Sequence, residues 1–182
     1  MPVIVLAVVA LAGAALQIRR HRGERSPGHA ADTLMVWWMV VVVGLWGLAG
    51  ALYNLLDGAQ TAAEIGYTRG DGGFQYENAM GDLAIAVAAL LCWRFRRGFW
   101  LATVLVFAIQ YYGDAGGHIH FWLAKDNTNP DNVGVPLWFD VVAPTVAIAL
   151  YVASWRAGGA ARVSDAPASA SASWVRERIP SL

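Results

Sequence analysis

Residues 34–56 read LMVWWMVVVVGLWGLAGALYNLL, a run without one charged side chain. At about 1.5 Å per residue, a helix over this stretch is long enough to cross the roughly 30 Å hydrocarbon layer of a bilayer. A helix apolar on all sides is stable only where protein or lipid surrounds it, which decides the fold class. Four further runs of similar character lie outward from it, at 3–18, 74–95, 98–122 and 135–155. The expected fold is an all-α, polytopic integral membrane helical bundle of about five transmembrane helices within residues 1–156.

Composition supports the same class. Hydrophobic residues make up 57% of the 182-residue chain and charged residues 14%, with a mean hydropathy of +0.44. That is more apolar surface than a soluble domain of this size can bury, so lipid has to cover the remainder. The formal net charge is zero, which offers no field to attract nucleic acid. Expected partners are membrane lipids, with a second copy or another membrane subunit as a further partner. Cys92 is the single cysteine and excludes an internal disulfide, a thiolate-only zinc site and a two-cysteine redox centre.

The run at 3–18 lies where a secretory signal would. It has no basic residue before it, and Arg19, Arg20, Arg22 and Arg25 follow it, the reverse of a cleaved signal's polarity. A retained helix is expected, with cleavage after Ala14–Ala15 as the alternative. If the N-terminus is outside, all of the 13 Arg and Lys side chains except Arg69 and Lys125 fall on the cytoplasmic side. The positive-inside bias therefore predicts a multi-pass cell-membrane protein, N-terminus outside and C-terminus cytoplasmic. Residues 157–182 are low-complexity alanine, serine and proline over much of their length and are expected to be a disordered cytoplasmic tail.

The loops at 57–73 and 123–134 are rich in glycine, asparagine and aspartate, and 59–65 is expected to form one short surface helix. Gly44, Gly47 and Gly50, and Gly113, Gly116 and Gly117, are expected to mark faces of close helix packing.

The polar residues inside the runs carry the functional reading. The third run descends from the outer side, the fourth ascends and the fifth descends. This puts Glu77 and Asp82 about 5 and 12 Å below the outer end of their helix, Asp114 and His118 about 10 and 5 Å, and Asp140 about 8 Å. Four carboxylates and one imidazole thus reach one level, with Tyr53 and Asn54 nearby. Ionisable groups at that depth cost a few kcal/mol each unless paired, so they should face the interior and one another. Asp114 and His118 are four apart and share a helical face, as do Asn78 and Asp82. His120 should point away.

These residues coincide with a resemblance. FQYENAMGDLAIAV at 74–87, RRGFWLATVLVF at 96–107, the GHI of 117–119 and NVGVPLWFDVVAP at 132–144 resemble a family of small bacterial and archaeal multi-helix membrane proteins of uncharacterised function. The resemblance implies the same architecture and singles out Glu77, His118 and Asp140. Asp114 and Asp82 depart from its pattern.

Three readings follow. Glu77, His118 and Asp140 form a catalytic acid–base site, or with Asp114 hold a divalent metal such as manganese, iron or zinc, acting on a small or lipid-like substrate. The same groups bind an ion or relay protons. In the third, the protein is a non-catalytic accessory or scaffold subunit whose polar residues fix helix register.

Overall fold

The computed structural model describes residues 2–21, 28–68, 70 and 72–164, with side chains to residue 158. Among the described residues every element is helical: α1 (Pro2–Arg20), α2 (His29–Trp37), a π-helical segment (Trp38–Leu45), α3 (Trp46–Ile65), α4 (Gly73–Leu91), α5 (Gly98–Lys125), α6 (Pro130–Val133) and α7 (Val135–Ser164). The second span runs through α2, the π-helical segment and α3 and begins at His29, ahead of its apolar core. Three spans, Pro2–Arg20, His29–Ile65 and Pro130–Gly158, are long and apolar enough to cross a membrane. The other two long helices, α4 and α5, fall short because one half of each carries the polar residues named above. The chain is thus an all-α bundle of membrane-spanning helices, with Leu56, Ile109 and Leu123 among the large apolar side chains on its outer surface.

Local chemistry sets the boundaries. Pro2 occupies the first helical position of α1, where its missing N–H costs nothing, and Arg19 and Arg20 sit in the last turn, favourable for the helix dipole. Four consecutive valines, Val40–Val43, lie in the π-helical segment, whose wider turn interrupts the regular ladder. There Gly44 and Gly47 lie against α4: an added Cβ would stand 2.8 Å from Leu90 and 3.3 Å from Ala86. These two act as expected, whereas Gly50, Gly113 and Gly116 face open space and form no packing face. The small residues at 113–117 leave α5 unbroken to Lys125.

Asp57 leaves helical geometry at φ −147°, ψ 52°, and the helix resumes to Ile65, so the surface helix expected at 59–65 is present as the last turns of α3. It ends on Gly66 at φ +84°, where Tyr67 N–H donates to the Ala62 carbonyl at 2.8 Å. The side chain of Asn127 packs against Gly66 so closely that a Cβ would lie 2.8 Å from its Oδ1. α7 continues to Ser164, and the remainder of the expected tail, 165–182, lies outside the described residues.

The core is built by Met35, Trp38, Met39, Val42 and Val43 of the second span with Trp100, Val104 and Phe107 of α5 and Phe139, Ala143 and Ala147 of α7. Trp38 donates to the Ala143 carbonyl at 3.1 Å and Trp100 to the Cys92 carbonyl at 2.8 Å. Both indoles are therefore core groups satisfied by backbone. At one end of the bundle the start of α2, the α4–α5 turn and the last turns of α7 adjoin; at the other, the end of α3 meets the α5–α7 connection.

Candidate functional site

The α5–α7 connection is shaped to deliver one amide. Asn129 caps α6 by accepting from Asp131 N–H at 3.2 Å, and Pro130 opens the helix. This single turn projects Asn132 inward, where it is fully buried. Gly134 then reverses the chain into α7, and a Cβ on it would stand 2.2 Å from the Pro130 carbonyl oxygen, so only glycine fits.

Asn132 meets His118, which α5 buries to 8% exposure. The Asn132 Nδ2 donates to the His118 carbonyl at 3.1 Å and to the Asn127 carbonyl at 3.0 Å. Its Oδ1 can then only accept, so the His118 Nδ1, 2.8 Å away, carries the proton of that hydrogen bond. The other ring nitrogen, Nε2, lies 3.6 Å from Asp140 Oδ2, and Asp140 is 7% exposed. A bare Nε2 facing an ionised carboxylate would bring two lone-pair-bearing atoms together in an apolar surround. One further proton shared between Nε2 and the carboxylate removes that repulsion. Pro144, four residues on in α7, has no N–H to return to the Asp140 carbonyl, which loosens the backbone beneath the carboxylate.

Around this pair stand other polar groups. Asp114, one turn away on α5, accepts from the Gln110 amide at 3.2 and 3.3 Å. Asp82 accepts from Asn78 at 3.5 Å, the four-residue pairing expected from the sequence. Tyr67, in the loop beyond α3, covers the site, its ring centroid 6.4 Å from that of His118 and 4.4 Å from that of Phe121. Burial, with the nearby Asp114 and Asp140 carboxylates, holds the Tyr67 phenol above its ordinary range.

The sequence-derived set is only partly assembled. His118 and Asp140 come together. Glu77 does not join them: it is exposed on α4, because Asn78 and Asp82 take the more protected face and Glu77 lies well around the axis from it. Asp114 accepts from Gln110, and the two His118 ring nitrogens face Asn132 and Asp140, so the helical face that Asp114 and His118 share does not join them by a hydrogen bond. Tyr53 donates to Glu64 at 2.9 Å and Asn54 to the Gly50 carbonyl of its own helix at 3.3 Å, both away from the site. Among the described residues no three His, Cys, Asp or Glu side chains converge as a metal-binding group, so Glu77, Asp114, His118 and Asp140 do not form one. His120 is exposed and edge-on to Phe121, as expected. Asn132 and Tyr67 were not anticipated, since amides and tyrosines in loops ordinarily signal turns and surface. The Asn-Pro step at 129–130, a cap followed by a first-turn proline, is the signal that a short helix could aim Asn132 inward.

The fold and site together define a membrane-spanning helical bundle with a buried histidine–carboxylate pair at one end. The chain matches the family of unknown function DUF6790 over residues 1–160 and belongs to it. No curated protein and no solved structure matches the chain.

Proposed function

We propose that this is a multi-pass cell-membrane protein whose His118–Asp140 pair exchanges a proton with a small or lipid-like substrate in the outer half of the bilayer. The N-terminus lies outside and the C-terminus in the cytoplasm in this reading. The observation that carries it is the committed amide of Asn132, which presets the His118 tautomer and leaves the second nitrogen and Asp140 to share one proton. A general acid–base group works best when its orientation and protonation are fixed by a neighbour, as here. Pairing and burial also keep water from competing for that proton.

A second reading, an accessory or scaffold subunit, is favoured by the network linking Ile65, Asn127, Asn132 and His118, which ties two loops to α5. Histidine-selective ¹⁵N NMR of the purified protein separates the two. The proton-exchange reading expects His118 Nδ1 to carry its proton and the Nε2 signal to change in Asp140→Asn. A His118 ring whose two nitrogen signals are indifferent to Asp140→Asn leaves only the scaffold. For orientation, cysteine replacing Thr128 should react with an impermeant maleimide on intact cells, and cysteine replacing Arg20 should not; the reverse pattern would invert the topology.

A further inference from the structure

At the opposite end of the bundle lies a cavity of about 260 Å³ walled by Asp32 of α2, Arg96 and Arg97 of the α4–α5 turn, Trp100 of α5, and Tyr151 and Ser154 of α7. From this cavity we infer a binding site for a phosphate monoester or diester group, of the kind carried by an anionic phospholipid headgroup or by free phosphate.

The two guanidinium groups are held rather than left to wander. Arg96 stacks over the Trp100 ring at 5.2 Å and stands 3.9 Å from Asp32, whose other carboxylate oxygen accepts from the Ser154 hydroxyl. Arg97 lies against Gly158: a Cβ there would be 2.7 Å from its Nη1, so α7 leaves room for this head group. Among the described residues no carboxylate pairs with Arg97. The cavity's charged groups are therefore two cations and one anion, with the net positive charge concentrated on Arg97.

The backbone adds to it. α5 begins at Gly98 with no side-chain cap, Phe99 N–H donating to the Arg96 carbonyl at 3.3 Å and Leu101 N–H to the Arg97 carbonyl at 3.1 Å, so the positive end of a 28-residue helix dipole lies beside Arg97. Arg97 itself holds φ +61°, a conformation costly for a residue with a Cβ, which persists only where the surroundings require it. Guanidinium forks are donors that phosphate oxygens accept from strongly, and the positive end of a helix dipole favours the same negative charge. The exposed indole of Trp155 also lines the cavity, and an exposed indole at the end of a membrane bundle favours the headgroup level, where a lipid phosphate resides. The inference holds whichever side of the membrane this end faces.

The test is the melting temperature of the full chain in a neutral detergent with dioctanoyl phosphatidylglycerol, dioctanoyl phosphatidylcholine or inorganic phosphate added. Phosphatidylglycerol should raise it and phosphatidylcholine should not. Inorganic phosphate acting as well as the lipid would identify the free anion as the ligand; a lipid-only effect would identify the headgroup. Arg96→Gln and Arg97→Gly should each weaken binding by at least about tenfold, the loss expected for one charge-assisted contact. Glycine accepts the positive φ, so Arg97→Gly should stay folded and separates lost binding from lost structure. Arg19→Gln, at a basic residue outside the cavity, should bind as the parent does. No stabilisation by any anion, an equal effect of phosphatidylcholine, unchanged binding in both cavity variants, or an equal loss in Arg19→Gln would each overturn the site.

Discussion

At one end of the bundle His118 and Asp140 are 8% and 7% exposed, and both polar atoms of the Asn132 side chain are committed to neighbours. At the other, the Arg96 side chain is 49% exposed and Arg97 borders an open cavity. The first arrangement suits a group that moves a proton within the protein, because His118 Nδ1 and both ends of the Asn132 amide are already occupied and Nε2 is left facing Asp140. The second suits a group that meets something arriving from outside. The same difference predicts where the protein tolerates change: removing a partner from the buried end strands other polar groups, while at the open end water replaces what is lost.

The largest effect should follow Asn132→Leu. It leaves the buried His118 Nδ1–H without its partner, at about 1–3 kcal/mol, and takes the side-chain donor from the His118 and Asn127 carbonyls. A loss of about 1–3 kcal/mol of stability is expected, read as a clear fall in melting temperature in detergent. Arg96→Gln, measured without added anion, should change it little. If the two variants melt alike, the contrast between the ends is wrong.

Asp140→Asn comes next. The amide keeps volume and hydrogen-bonding capacity, and its Nδ2 can donate to the bare His118 Nε2, so the fold should survive at a cost of about 1 kcal/mol. Asp140→Leu offers Nε2 no partner and should cost distinctly more. Equal melting temperatures for the two would show that His118 does not depend on position 140 for a proton.

How far these features were legible in the sequence follows from what each depends on. The spans could be read because apolar runs answer to bilayer thickness: 98–122 became Gly98–Lys125, and 3–18 became Pro2–Arg20. The second span overran its apolar core at both ends: past Asp57, which leaves helical geometry, the helix resumes where hydropathy alone would stop it, with Thr61 donating to the Asp57 carbonyl at 3.0 Å. The π-helical turns across the valines had no signature in periodicity. In the site, depth along each helix brought His118 and Asp140 together correctly, because rise per residue is fixed. Rotation about the axis was not fixed, and there Glu77 failed: a carboxylate near a helix end can face headgroups and water at little cost, so nothing forces it inward. Asn132 was hidden because its role depends on a single turn of helix and on Gly134, both tertiary features.

Glu77→Gln accordingly should have almost no effect, within about 0.5 kcal/mol as for other exposed positions. A Glu77→Gln variant that altered the His118 ring-nitrogen signals as strongly as Asp140→Asn would restore Glu77 to the site.

The smallest effect separates the cover of the buried end from its contents. Tyr67 has an ordinary phenol value of 10.0, raised in the folded protein by burial first and then by the Asp114 and Asp140 carboxylates. In the unfolded chain the phenol ionises near the ordinary value, while the folded protein resists ionisation until higher pH. Between those points the folded state holds the proton that the unfolded state has released. Stability from this group is therefore complete below about pH 10 and declines as pH rises above it. Tyr67→Phe keeps the ring against Phe121 and His118 but has no proton to lose. Its melting temperature should track the parent's through neutral pH and fall less steeply on the alkaline side. Other groups ionise in that range in both proteins, so the informative quantity is the difference between the two curves. If that difference stays constant from pH 8 to pH 11, Tyr67 is as free to ionise folded as unfolded and does not cover the His118–Asp140 pair.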